Sequence, residues 1–138
     1  AQCSGAELIA VTVLNSRDVE SVQTISAMGY DVDGEHYVES VEKERRGMLE
    51  KIADQTNVSG IKIRAIFRVG NPIDELLKLI VEEAVDVVIM GPKGRTDLEH
   101  VLVGSVAEKI FRRSPATVIS YRDETVAQRY RDRIKKQL

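Results

Sequence analysis

Residues 85–122 read VDVVIMGPKGRTDLEHVLVGSVAEKIFRRSPATVISYR, and this stretch decides the fold. It opens with a short apolar run, Val85–Met90, of the kind that forms a buried strand in a parallel sheet. A loop follows, and the apolar spacing over Gly104–Arg113 predicts a helix. The pair Ser114–Pro115 ends that helix, and Ala116–Tyr121 predicts a last strand. Strand, loop, helix and strand in this order are typical of a parallel β–α–β unit.

The preceding residues also alternate between strand and helix patterns. Glu7–Leu14 (ELIAVTVL) predicts a second buried strand, and Ile61–Val69 alternates apolar and cationic residues like a strand with one wet face. Val38–Asp54 carries an apolar stripe at helical spacing. Asn71–Pro72 predicts the capped start of another helix. We interpret Ser16–Glu35 as a long loop that contains a helical turn.

These segments predict an α/β fold, an open, mainly parallel, twisted sheet with helices on both faces. At 138 residues the chain is long enough for one such domain, which we assign to residues 1–122. Residues 123–138 are a charged tail, predicted to be helical because apolar residues recur every fourth position. In open α/β sheets ligands bind at the carboxyl ends of the strands, which is where Gly91 follows Met90.

Composition excludes several classes of protein. The formal net charge is −2, which gives no electrostatic reason to expect nucleic acid or an anionic membrane as a partner. Apolar runs stay far below the roughly 20 residues that span a bilayer. A single cysteine, Cys3, fits a reducing compartment, so we expect a cytoplasmic protein. His36 and His100 lie far apart, and no metal-binding cluster is predicted.

The loop between the strand and the helix has the composition of an anion site. The loop contains three glycines, Gly91, Gly94 and Gly104. Glycine lets backbone N–H groups approach one point, because no side chain blocks them. A helix that starts at Gly104–Ser105 adds free amides and a partial positive charge. Lys93 and Arg95 supply cations for phosphate oxygens. The spacing differs from that of a P-loop, because no Lys-Ser/Thr follows the second glycine.

The pattern Gly-x2-Gly-x9-Gly-Ser, followed by an apolar helix, a proline and a strand, resembles the ATP-binding signature of the universal stress protein family. The similarity covers Gly5–Arg122 and implies an adenine nucleotide alpha hydrolase-like, Rossmann-like fold. By position, it implies a site for ATP or another adenine nucleotide made of Val13, Met90, Gly91, Gly94, Arg95, Gly104, Ser105 and Val106. Val13 would lie against the adenine, Met90 would flank the pocket, and the others would surround phosphates and ribose. The resemblance also implies a stress-response sensor or regulator, and a homodimer through the last strand, Ala116–Tyr121.

One departure concerns the beginning of the fold. Members of the family normally open with a strand, an Asp at its end and a helix, and none of these is found here. Without that strand, Glu7–Leu14 and Val85–Met90 would each lack a neighbour, and every buried unpaired backbone group costs about 1–3 kcal/mol. We therefore expect that the sequence is an incomplete record of a longer protein, or that another segment fills the gap.

Two alternatives to a nucleotide-binding regulator follow from the same residues. Asp97 and Glu99 lie in the loop, where carboxylates near phosphates suit Mg²⁺, although they also suit plain solvent exposure. Together with His100 they are candidates for a slow ATPase, but nothing singles out a catalytic residue. A dimeric interaction module that binds no nucleotide is the other alternative, and the missing first-strand Asp favours it.

Overall fold

The computed structural model describes residues 5–29, 33–55, 61–92 and 104–136. The order of strands and helices follows the sequence prediction, except that two helices occur in succession after the first strand. In chain order the elements are β1 (Leu8–Asn15), α1 (Ser16–Ala27), α2 (Gly34–Gln55), β2 (Ile63–Gly70), α3 (Pro72–Glu82), β3 (Val87–Met90), α4 (Ser105–Arg113), β4 (Thr117–Ser120) and α5 (Glu124–Lys135). The α/β class and the parallel strands are thereby confirmed.

The chain forms two compact units, Ala1–Glu75 and Leu76–Leu138. In the first unit β1 pairs with β2 in parallel, from Leu8 beside Ile63 to Asn15 beside Gly70. The two strands therefore end at the same level of the sheet, and each passes into a helix with almost no connection.

Asparagine side chains start both of these helices. The Asn15 carboxamide oxygen accepts the Arg17 N–H at 3.1 Å, and the Asn71 oxygen accepts the Ile73 N–H at 3.0 Å. These bonds satisfy amides that have no partner within the helix. The predicted cap at Asn71, with Pro72 as the first helical residue, is confirmed.

The interpretation of Ser16–Glu35 as a loop is wrong, because α1 occupies Ser16–Ala27. The helix has a weak apolar stripe, and Ile25 is 44% exposed, so periodicity gives little signal. Its start is fixed by the Asn15 cap, and its packing on α2 and on the β1–β2 sheet stabilises the remainder. Tertiary contact here outweighs a modest local preference.

The prediction that the cationic residues of β2 form a solvent-exposed face is also wrong in detail. Arg64 and Arg68 are half-buried, whereas Ile63 and Val69 are 38% and 46% exposed. Both exposed residues lie near the ends of the strand, and long arginine stems can cover a sheet while the charged group stays near water.

Glycine permits a close approach where β2 meets α3. Gly70 has a φ of 157°, and a Cβ at this residue would lie 2.8 Å from Cγ of Glu75. That separation is too short for two carbon atoms, so the first turn of α3 lies directly over the end of the strand.

In the second unit β3 pairs with β4 in parallel, from Val87 beside Thr117 to Met90 beside Ser120. Its buried side chains come from two helices and include the fully buried Ile110. They are Leu79, Ile80, Ala107 and Ile110. Alternate strand residues remain exposed, with Ile89 at 64% and its register partner Ile119 at 47%.

Each sheet has an edge that other described residues leave unpaired. Over residues 5–29, 33–55, 61–92 and 104–136, β1 pairs only with β2, and β3 pairs only with β4. These are the two strands for which the sequence predicts a missing neighbour.

The C-terminal helix α5 starts at an Asp123 cap, whose carboxylate accepts the Val126 N–H at 2.9 Å. None of its described side chains is buried. Its aromatic residue, Tyr130, stacks under the Arg122 guanidinium at 5.5 Å from the ring centre. In the part of the chain that the structure describes, every helix is too short or too polar to cross a bilayer.

Asp33 and His36 form an exposed pair at the start of α2, with His36 Nδ1 2.9 Å from Asp33 Oδ2. The bond to His36, and then the Glu35 N–H, hold the pKa of Asp33 below its ordinary value. The bond to Asp33, and then the negative charges of Asp33 and Glu39, raise the pKa of His36 above 6.5.

Replacement His36→Gln is expected to lower stability in mildly acidic solution only. A raised folded pKa means that the His36 contribution is complete below pH 6.5 and is lost as pH rises through the folded value. The lowered Asp33 pKa means that its contribution is complete above 3.8 and is lost as pH falls through the folded value. Urea midpoints of the two proteins should differ at about pH 5.5 and converge at about pH 9. Equal differences at both pH values would contradict this assignment.

Candidate functional site

The segment predicted to bind an anion is described at both of its ends. On one side β3 ends at Met90 and the chain continues through Gly91 to Pro92, and on the other it enters α4 at Gly104. The Gly104 N–H donates to the Pro92 carbonyl at 2.6 Å. This bond brings the end of the strand and the start of the helix together.

The bond between the Gly104 N–H and the Pro92 carbonyl, called the closing bond, changes which backbone amides are free to bind a ligand. Since the Gly104 N–H is already bonded to Pro92, it is not available to a ligand in this conformation. The first intrahelical bond runs from the Glu108 N–H to the Gly104 carbonyl at 2.9 Å. The amides of Ser105, Val106 and Ala107 precede it and have no partner within the helix. The donors therefore lie one to three residues beyond the predicted glycine.

Gly104 is the residue that caps α4, with φ −69° and ψ 150° and no side chain to bond the first turn. Ser105 is the first helical residue and is exposed. A helix start that is capped by glycine leaves its partial positive charge uncompensated by a local oxygen.

The position of α4 is held by packing and by its C-terminal end. Ala107 and Ile110 are 8% and 0% exposed, which anchors the first two turns. The Ser114 N–H donates to the Ile110 carbonyl at 2.8 Å, and the Ser114 hydroxyl accepts the Ala116 N–H at 3.1 Å. The chain is thereby turned from the helix into β4.

One acidic residue lies in the first turn of α4. A carboxylate here opposes an anionic ligand, but Glu108 Oε1 lies 3.6 Å from Arg112 NH1, on the exposed side of the helix. The salt bridge partly compensates the negative charge.

The predicted site residues divide into three groups. Met90, Gly91, Gly104, Ser105 and Val106 all lie in the second unit, around the closing bond. Gly94 and Arg95 lie outside the described residues, as do Lys93, Asp97, Glu99 and His100. Their roles, and that of Mg²⁺, stay predictions. No grouping of metal-binding side chains occurs in the described segments.

Val13, the predicted adenine contact, belongs to the first unit. It is half-buried, two residues before the end of β1, and its register partner on β2 is Arg68.

An open groove of about 500 Å³ lies along α2 and is lined only by residues of that helix. Its lining mixes acids and cations, and Arg46 NH2 lies 2.6 Å from Glu42 Oε1 within it. Three glutamates and two cations line the groove, so its formal charge is only −1, and it offers little excess charge to select a ligand.

Comparison with known proteins agrees with this architecture. The model of the universal stress protein family matches residues 1–122. The chain belongs to the universal stress protein family. The match ends at residue 122, just before α5.

Individual relatives align with different lengths of this universal stress protein. Universal stress protein MJ0577 of Methanocaldococcus jannaschii is 28% identical over 121 residues, which cover 82% of this chain and 75% of that protein. A universal stress protein of Methanothermobacter thermautotrophicus is 41% identical over 58 residues, 42% of this chain and 39% of its own length.

Solved structures show the same fold. The structure of MJ0577, from work titled as a structure-based assignment of its biochemical function, has a TM-score of 0.66 at 28% identity. It covers 86% of this chain and 78% of its own. UspA from Lactobacillus plantarum has a TM-score of 0.62 at 16% identity, with 88% of this chain and 81% of its own covered, and supports the fold alone.

Proposed function

We propose that this universal stress protein binds an adenine nucleotide, ATP or AMP, through its phosphates at the start of α4. The observation that carries the proposal is the bond between the Gly104 N–H and the Pro92 carbonyl, which holds a glycine-flanked turn against a helix start with free amides. Membership of the family supports a role in stress response. The nucleotide would make that role a sensing or regulatory one, in the cytoplasm.

The chemistry of this end of α4 suits phosphate. Three amides, at residues 105–107, and the Ser105 hydroxyl are donors, and the helix adds a partial positive charge. The site contains no buried acid among the described residues, since the acid of the first turn, Glu108, is exposed and paired with Arg112. Gly91 and Gly104 leave room for oxygens beside the backbone.

Replacement Gly104→Val is the direct test of this site. The cap has extended dihedral angles that valine adopts readily, so the variant should fold. Its side chain would enter the space in front of the free amides, and we expect the affinity for ATP and AMP in calorimetry to fall about tenfold or more.

Gly47→Ala is the matched control for this test. Nothing lies within 4 Å of a Cβ at Gly47, and the residue lies in α2, so nucleotide affinity should not change. A Gly104→Val protein that binds nucleotide as tightly as the unmodified chain would refute the site. Failure of the unmodified chain to bind either nucleotide would refute the function and favour a non-binding interaction module.

We also propose that further strand and helix segments complete each of the two sheets. The free edges of β1 and β3 support this. Parallel strands are normally covered on both faces and paired on both edges.

Intact-mass spectrometry, combined with amide hydrogen exchange, tests this completion. A mass above 15.4 kDa together with slow exchange along the whole of β1 is expected. A mass of 15.4 kDa with fast exchange at alternate amides of β1 would contradict it.

The proposed quaternary structure is a homodimer through β4. Ile119 and Tyr121 are 47% and 64% exposed at this strand and offer apolar area to a second copy. We expect Ile119→Asp to shift sedimentation equilibrium from dimer to monomer. Val81→Asp, at a site on α3 that is 69% exposed, is the control and should leave the dimer intact. A dimer that survives Ile119→Asp unchanged would exclude this surface.

A further inference from the structure

The C-terminal helix α5 concentrates positive charge in its second half. Residues 129–136 contain five cations and one acid, a formal charge of +4, whereas the whole chain carries −2. One of the cations, Arg131, pairs with Glu124 in the first turn of the helix. The other four are exposed and have no ion-pair partner among the described residues; they are Arg129, Arg133, Lys135 and Lys136. The charge of the whole chain, which gives no reason to expect an anionic membrane, therefore does not describe α5.

The same helix carries an apolar stripe that remains partly exposed. Val126, Tyr130 and Ile134 recur at every fourth position, so they span an arc of about 80° around the helix. Val126 and Tyr130 are half-buried, and Ile134 is 56% exposed. None of the described side chains of α5 is buried. The stripe therefore retains apolar area that a further partner can bury.

Cations flank this stripe on both sides. On one side lie the cations three positions after an apolar residue of the stripe, Arg129 and Arg133. On the other side lie those that directly follow one, Arg131 and Lys135. A further cation, Arg122, stacks on the aromatic ring of the stripe, 5.5 Å from its centre. An apolar arc between two rows of cations is typical of a helix that lies in a membrane surface, because the long cationic side chains reach headgroups on both sides.

We propose that α5 binds the surface of an anionic lipid bilayer, with its apolar stripe toward the acyl chains and its cations on the headgroups. The cytoplasmic leaflet of a membrane has a negative surface potential that attracts basic helices of this kind. Nucleic acid is also anionic, but it offers no apolar phase to bury Ile134. A second copy of α5 offers apolar area, but it would bring two helices of the same positive charge together. Because the stripe is short, binding is weak, reversible and dependent on anionic lipid.

Co-sedimentation of the full chain with lipid vesicles tests this surface. Vesicles of phosphatidylcholine with about 30% phosphatidylserine should bind the protein, and vesicles of phosphatidylcholine alone should not. Since the attraction is between charges at a solvated surface, partition into the anionic vesicles should fall as NaCl is raised from about 50 mM to about 500 mM.

A double variant, Arg129→Gln with Arg133→Gln, removes one row of cations. Both side chains are exposed, so the variant should fold, and its partition into anionic vesicles should be about 30-fold weaker. The matched control is Lys43→Gln with Lys51→Gln, which removes the same charge from exposed positions of α2. This control should partition as the unmodified chain does.

Replacement Ile134→Gln tests the apolar stripe separately from the charge. Partition should weaken about tenfold, because the side chain no longer enters the lipid. Val81→Gln is the control, at a position of α3 that is 69% exposed, and should have no effect.

Failure of the unmodified chain to bind anionic vesicles, equal binding to both kinds of vesicle, or unchanged partition of the double arginine variant would each overturn the proposal. Retention of the chain on immobilised polyglutamate without binding to anionic vesicles would assign α5 to an acidic protein segment and overturn it as well.

Discussion

The bond from the Gly104 N–H to the Pro92 carbonyl is the constraint on which the proposed site depends. It fixes the distance between the end of β3 and the start of α4, and so sets where the free amides of the helix lie relative to the turn after the strand. A backbone bond of this kind needs no particular side chain at either residue. Glycine at the helix start keeps the space in front of the amides open. The fully buried Ile110 then holds the helix in place.

The first unit follows a different constraint, the common end of two parallel strands. Because Asn15 and Gly70 are register partners, the two helices that follow start at the same level. An asparagine cap starts each helix, and the two capping oxygens satisfy amides that have no partner within the helix.

Sequence reasoning predicts the parts of this molecule that have strong local signals. The strand before Gly91, the cap at Asn71 and the helix after Gly104 follow from apolar runs and turn chemistry. α1 does not, because its stripe is weak and its stability comes from packing against α2 and the sheet. Neither the half-burial of Arg68 nor the hydrogen bond of the Gly104 amide could be predicted from the sequence, since both depend on residues distant in sequence. The sequence motif indicates which backbone N–H groups could bind a ligand, and the structure shows which of them are already bonded within the chain.

The very short connections after β1 and β2 have a consequence for how this fold tolerates changes in length. α1 begins at the residue after Asn15, and only Asn71 separates β2 from α3. One added residue at either junction would turn the following helix by about 100° and direct its apolar stripe away from the sheet. Insertions and deletions at these two junctions would therefore act as rotations of a whole helix, a far larger disturbance than the lengthening of a loop.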